Sequence, residues 1–353
     1  MSTPETEGMD SKELAKLVDF GTVHRFDSLL VVRTGKLVVE AYYAPYTAGI
    51  PHSMYSVTKA VISTLTAIAS KDGLLDNPNH RALDFFDRGS IAKVDEKKEA
   101  ITVQSLLDMT SGIEWTERLG DTSAASVETQ SEMDSSPDWV KFILDRPMSS
   151  APGDIFNYNS GNPHLLSAIL TKLAGMSALE YGKSKLFGPL GITRVSWQHD
   201  PQGISNGGWG LSLQPRDMAK IGYLYLRKGV WEGKQLLPPT WIDKVSQATI
   251  DMRLGGLRYS NLFWALPDKH VYMAVGRNGQ VIIVCPDLDV VAVTTGRENY
   301  RLSEVADSIS RSVKSDTSLS ADAEGARSCS RTKYSRSQLG SPLKSGRSRE
   351  NGG

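Results

Sequence analysis

The chain has 353 residues, with 40 Lys plus Arg balancing 40 Asp plus Glu, so its formal net charge is zero. Such a chain generates no overall field that would draw in nucleic acid or an anionic membrane surface, and partners have to be sought in local sites. The length allows one large domain or two lobes around a cleft.

The opening "MSTPETEGMDSKELAK" has neither the basic start nor the apolar run of a secretory leader, and no later stretch has the length of a membrane span. As it stands the chain reads as cytoplasmic, with export left to a form that begins further upstream. "MDSKELAKLVDFG" has helical apolar spacing, and "DSLLVVRTGKLVVEAYYAPY" reads as a hairpin about Thr34-Gly35. "SVTKAVISTLTAIASKDGLL" places Val57, Val61, Leu65 and Ile68 on one helical stripe that stops at Asp72-Gly73. Residues 76–200 read as a mainly helical lobe, including "TVQSLLDM" and "SGNPHLLSAILTKLAGM", joined by Pro- and Gly-bearing loops. Then come a helix with proline near its start, "QPRDMAKIGYLYLRKG", a "VWEGKQLL" turn, and two strands in "QVIIVCPDLDVVAVTT". Strands near both ends with helices between them imply one antiparallel sheet beside a helical lobe, an α+β architecture with a cleft between the two.

Residues 314–353 are rich in Ser, Gly and basic side chains and poor in large apolar ones, the composition of a solvated, disordered tail rather than a core. The folded domain is therefore expected over residues 1–313. Cys285 and Cys329 are too few for a disulfide framework and lack metal-ligand spacing, and Cys285 in "QVIIVCP" reads as a small buried hydrophobe. His52, His164, His199 and His270 are scattered without ligand spacing and read as surface or hydrogen-bonded structural residues, so no metal or other cofactor is implied. Gly-rich "SNGGWG" lacks the context of a nucleotide loop, and Trp115, Trp209 and Phe156 read as core aromatics before pocket walls.

"SMYSVTKA" carries the chemistry. Ser56 stands at the helix N-terminus and Lys59 follows three residues later on the same face, within reach of it. Val57, Ala60, Val61 and Ile62 surround Lys59, and desolvation among them lowers an amine's pKa toward that of a general base. In "PGDIFNYNSGNPHLLSAIL" a turn delivers Tyr158, Asn159 and Ser160 to the start of a helix, and "YMAVGRNGQVIIVC" interrupts a strand at Gly276 and Gly279.

Those three elements, with "ITVQSLLDMTSGIEW" and "GGWGLSLQPRDMAKIGYLYLRKGVWEGKQLLPPTW", resemble the serine β-lactamase and penicillin-binding-protein superfamily, in particular its class C-like branch and the nylon-oligomer (6-aminohexanoate-dimer) hydrolases. The resemblance spans most of residues 4–296 and implies a β-lactamase-like fold. It assigns Ser56 as nucleophile, Lys59 as its base and Tyr158 as proton relay. It also assigns the backbone N–H groups of Ser56 and Arg277, the latter following Gly276, as oxyanion donors, with Ser160 offering a hydroxyl to substrate.

Three departures bear on substrate. Tyr158-Asn159-Ser160 ends in a hydroxyl where many relatives have an amide. Ala274-Val275-Gly276 replaces a Lys-Thr-Gly or His-Thr-Gly triplet and its carboxylate-gripping cation, with Arg277 the one nearby substitute. "RLSEVADSISRSVKSD" is polar where relatives carry an apolar terminal helix. The expectation is an acyl-enzyme serine hydrolase for a small linear amide or short ester. The alternatives are a weak β-lactamase or DD-peptidase, or a non-catalytic penicillin-recognising protein. The expected partner is a small-molecule substrate, with no role for nucleic acid or membrane and the oligomeric state left open.

Overall fold

The computed structural model describes residues 1–119, 127–322 and 325. Helix α1 (Ser11–Val23) starts at Asp10, whose carboxylate accepts from the Lys12 and Glu13 amides, and buries Leu14, Leu17 and Val18. Strands β1 (Phe26–Arg33) and β2 (Lys36–Tyr42) form the expected hairpin, with Thr34 and Gly35 both at positive φ in the turn. A short strand β3 (His52–Ser53) leads into α2 (Val57–Lys71).

The described part of the helical stretch contains α3 (Glu96–Glu99), α4 (Val103–Leu107), α5 (Glu128–Asp134), α6 (Trp139–Asp145), α7 (Gly161–Ala174) and α8 (Ala178–Gly182). Beyond it lie β4 (Ser196–Trp197), β5 (Leu211–Leu213), α9 (Pro215–Leu226), the β6 (Val230–Trp231) and β7 (Lys234–Gln235) ribbon, and α10 (Pro239–Ser246). Then follow β8 (Ile250–Asp251), β9 (Arg258–Ser260), β10 (Phe263–Leu266), β11 (Val271–Gly276), β12 (Gln280–Cys285), β13 (Val290–Gly296) and α11 (Leu302–Ser312).

Eight of these strands make one antiparallel sheet in the order β2-β1-β13-β12-β11-β10-β9-β8. The N-terminal hairpin thus pairs with the last strand, Val31 opposite Ala292, and both ends of the folded chain share one sheet as expected. Side chains alternate between faces along a strand. Val291 of β13 and Ile282 of β12 meet Gly222 of α9 on one face, at a point where a Cβ would come within 2.6 Å of Val291, so glycine lets that helix lie against the sheet. Thr294, three residues on from Val291, faces the other side and hydrogen-bonds Tyr300, whose ring packs on Phe20 of α1 and Phe26.

Helix α2 is the spine between sheet and helices, with 13 of its 15 residues buried. The predicted stripe Val57, Val61, Leu65 and Ile68 is buried, but so is the opposite side, where Thr64 and Thr66 satisfy their hydroxyls on the carbonyls one turn back. A helix apolar or internally satisfied all round belongs in a core. Helix α11 does dock despite its polar composition: Val305, Ala306, Ile309 and Ser312 form its buried side while Glu304, Ser310 and Arg311 face outward.

Past that helix, Lys314 and Ser315 N–H donate to the Gly8 carbonyl and Leu319 N–H to Glu5. Buried Arg33 donates to the carbonyls of Glu7 and Ser315 and pairs with Asp316 at 3.1 Å. Residues 323–324 and 326–353, Cys329 included, lie outside the described residues. Cys285 is buried in β12, and burial pushes its thiol up to about 12. Among the described residues no helix is long and apolar enough to cross a membrane.

Candidate active site

Ser56 caps α2 without using its own hydroxyl as a cap, which leaves Oγ available for other contacts. The residue before it, Tyr55, sits at φ 43°, a conformation that costs a side-chain-bearing residue strain and turns the chain sharply into the helix. Gly276 at the end of β11 lies against this turn. A Cβ there would stand 2.5 Å from the Met54 carbonyl and 3.2 Å from the Ser56 and Val57 nitrogens, so only glycine allows the strand to approach. Gly276 thus brings the end of β11 against the backbone of Ser56. The N–H groups of Ser56 and Arg277 flank this contact, and neither donates to another group among the described residues.

Lys59 is one turn into α2 and only 1% exposed. Its Nζ lies 2.9 Å from Ser56 Oγ, donates to the Gly208 carbonyl at 2.9 Å, and stands 4.8 Å from the centre of the Tyr158 ring. Burial lowers its pKa to about 8, with the Glu117 carboxylate raising it and the Arg277 guanidinium lowering it by smaller amounts. Against an ordinary lysine, a shift of that size disfavours the ammonium by about 3 kcal/mol and raises the neutral fraction at pH 7 roughly 300-fold.

Tyr158 is held edge-on by Tyr259 and Trp264, at centroid distances of 6.5 and 6.4 Å, and lines the same cavity as Ser56. Burial, then the Glu117 charge, push its phenol well above the usual tyrosine range. Tyr158 is therefore a neutral phenol near pH 7, and the basic group of the cluster is Lys59. Asn159 next to it caps α7, its side-chain oxygen accepting from Gly161 and Asn162 N–H.

Ser160 departs from expectation. It is 1% exposed and does not line the cavity; its N–H and Oγ both donate to Glu117, at 2.8 and 2.7 Å. A buried hydroxyl beside a carboxylate is better satisfied there than by a transient substrate. Glu117 was given no role from the sequence, although it follows the quoted "GIEW". It also accepts from Trp115 Nε1 at 2.9 Å and lines the cavity that contains Ser56. The other residue missed is Gly208 of "SNGGWG", whose carbonyl holds Lys59. The paired glycines were the available signal, since a Cβ at 207 would overlap the Pro163 carbonyl and one at 208 would stand 3.1 Å from the Ser160 Cβ.

The cavity over Ser56 has a volume of about 570 Å³. Tyr158, Gly276 and Arg277 line it, with Trp264, Leu257, Leu266 and Val275 as apolar wall. A depression of about 630 Å³ elsewhere is lined by Asp134, Trp139, Trp197, His199 and Trp209 and holds none of the predicted site residues. Trp209 therefore belongs to that second depression, Trp115 is a core residue bonded to Glu117, and Phe156 packs on Tyr259. His164 is fully buried against Asp200 at 3.1 Å, while His270 pairs with Asp287 at the surface.

A helix-capping serine with a desolvated lysine one turn on, set between an antiparallel sheet and a group of helices, is the arrangement of the β-lactamase-fold serine hydrolases. The chain belongs to the Beta-lactamase family, whose description matches residues 23–308. The 6-aminohexanoate-dimer hydrolase of Paenarthrobacter ureafaciens is 25% identical over 232 residues, 62% of this chain and 56% of that protein, so the match spans little more than half the relative's length. A Bacillus anthracis protein provisionally assigned as a 6-aminohexanoate-dimer hydrolase superimposes with a TM-score of 0.71 at 21% identity, over 84% of this chain and 79% of that one. EstCE1, a hydrolase with promiscuous acyltransferase activity, gives 0.69 at 15% identity over 86% and 99%. These likenesses establish a common fold.

Proposed function

We propose that the chain hydrolyses a small ester or linear amide through an acyl-enzyme on Ser56. The observation that carries the reading is the buried Lys59 amine 2.9 Å from the Ser56 hydroxyl, in a cavity with room for a substrate. Neutral Lys59 takes the hydroxyl proton as Oγ attacks the carbonyl carbon, and the resulting oxyanion faces the N–H groups of Ser56 and Arg277. The protonated amine passes its proton through the Tyr158 hydroxyl to the leaving alcohol or amine. In the second half the same pair takes a proton from the attacking water and returns one to Ser56 Oγ as the acid departs. The likeness to a 6-aminohexanoate-dimer hydrolase and to an esterase of the same fold supports the amide and ester classes.

The strand that would carry a cation in many β-lactam-binding relatives reads Ala274-Val275-Gly276 here. Turnover of 4-nitrophenyl butyrate is accordingly expected to exceed that of nitrocefin in the purified protein. Nitrocefin hydrolysis at the greater rate would favour the β-lactamase alternative.

The acyl-transfer rate is expected to climb as pH rises through about 8, because Lys59 acts only when neutral. Glu117 stabilises the ammonium and so raises that midpoint. In Glu117→Gln the rising limb of kcat/KM against pH is therefore expected to move toward lower pH. A limb that stays in place or moves to higher pH would contradict this electrostatic role.

A further inference from the structure

A neutral lysine amine carries two N–H donors and one lone pair, and only the lone pair can take the proton of a serine hydroxyl. In Lys59 one N–H is committed to the Gly208 carbonyl at 2.9 Å, with Ser56 Oγ at the same distance. That commitment removes one of the two donors that compete with the lone pair for the hydroxyl. Once the amine is protonated, the same carbonyl accepts from an ammonium, a stronger bond than it makes to a neutral amine. A nucleophile and its base work best when a third group orients the base, and here that group is a backbone carbonyl.

The carbonyl is one end of the Gly208–Trp209 peptide unit. Such a unit is planar, with its C=O and N–H pointing in opposite directions, so it can be aimed from the N–H end. There Trp209 N–H donates to Asn206 Oδ1 at 3.2 Å, and Gly208 N–H donates to the same oxygen at 2.9 Å.

Asn206 is 1% exposed and anchored through its backbone, its N–H donating to the Gln198 carbonyl at 2.8 Å and its carbonyl accepting from Trp197 Nε1 at 2.7 Å. Asn206 Nδ2 has no partner among the described residues. A buried donor left idle costs stability, so what this side chain contributes is its oxygen. Asn206 is not among the residues that line the cavity over Ser56.

Resting on the serine-hydrolase reading above, we infer that Asn206 is a positioning residue of the reaction, its side-chain oxygen clamping the Gly208–Trp209 peptide plane so that the Gly208 carbonyl orients the Lys59 amine toward Ser56. It acts on the rate through that peptide and leaves substrate binding alone.

Asn206→Ala, assayed well below its thermal midpoint, is expected to lower kcat for 4-nitrophenyl butyrate about tenfold or more with KM little changed, the scale of a misplaced reacting group. Covalent labelling by a fluorophosphonate probe is expected to slow in parallel, since it draws on the same Ser56–Lys59 pair. Asn206→Asp keeps the accepting oxygen and is expected to recover most of kcat at high pH. It also sets a carboxylate one peptide unit from Lys59, while Glu117 and Arg277, the other charges felt there, are unaltered. The rising limb of kcat/KM against pH is therefore expected at higher pH in Asn206→Asp than in wild type.

A folded alanine variant with wild-type kcat, or one whose loss lies in KM alone, overturns the inference. If the alanine variant does not fold, the aspartate variant decides: kcat near wild type at high pH with a displaced limb supports the positioning role, and a limb that stays in place or a large loss of kcat at every pH overturns it. Ser56→Ala run alongside separates the two failures. Turnover that needs Ser56 but is indifferent to Asn206 removes only the positioning role, whereas turnover independent of Ser56 removes the serine-hydrolase reading and the positioning role with it.

Discussion

Ser56→Ala is expected to lower kcat/KM for 4-nitrophenyl butyrate by on the order of 10⁴ or more while leaving the fold intact. The two halves of that expectation have separate physical grounds. The hydroxyl makes no capping bond to α2, so its removal takes no support from the helix. Its hydrogen bond is with Lys59, and under the proposed mechanism Lys59 and Tyr158 both lose the group they serve when it is gone. Rates measured against the enzyme-free reaction, together with a thermal melt, check both halves. Full turnover in the variant would mean that another residue carries the acyl group.

Lys59→Ala and Tyr158→Phe are each expected to cost at least about a hundredfold in the same assay, the scale of a lost acid or base. For Lys59 the alanine change also empties volume in a fully packed helix, which would destabilise by itself. Lys59→Met fills that space without an amine and separates the two effects. The methionine variant is expected to keep its thermal midpoint, lose the rate and lose the pH limb centred near 8. A variant that melts normally and retains most of its activity would remove Lys59 from the mechanism. Tyr158→Phe keeps the ring packed against Tyr259 and Trp264, so its loss of rate would report the hydroxyl alone.

Much of this architecture was legible because it is written in local periodicity. The hairpin at Thr34-Gly35, the helix after Ser56 and the strands flanking Asp287–Asp289 all follow from spacing of apolar residues and turn chemistry, and the structure has them there. Ser56 and Lys59 face each other because three residues is nearly one helical turn. Glu117 and Gly208 were not legible in the same way. Their importance comes from contacts with Ser160 and Lys59 that are 43 and 149 residues away in sequence, and no local pattern encodes such a pairing.

Ser160 shows the converse problem. Its position beside Tyr158 was readable, but the direction of its hydroxyl depended on a carboxylate arriving from another segment. Helix α11 was judged by average composition, which hid the Val305 and Ile309 pair one turn apart that docks it. The Ala274-Val275-Gly276 stretch was read at one strand, yet charge in a cavity is a sum over every segment that lines it, and Arg118 and Arg301 lie far from that motif.

The central claim is a covalent acyl-enzyme on Ser56, and covalent labelling tests it most directly. Purified protein is treated with a fluorophosphonate probe, digested and mapped by mass spectrometry, with and without competing 4-nitrophenyl butyrate. The expected result is one adduct on the peptide containing Ser56, diminished by the competing ester and absent from Ser56→Ala. An adduct on a different residue, or none on protein shown by its melt to be folded, would contradict it.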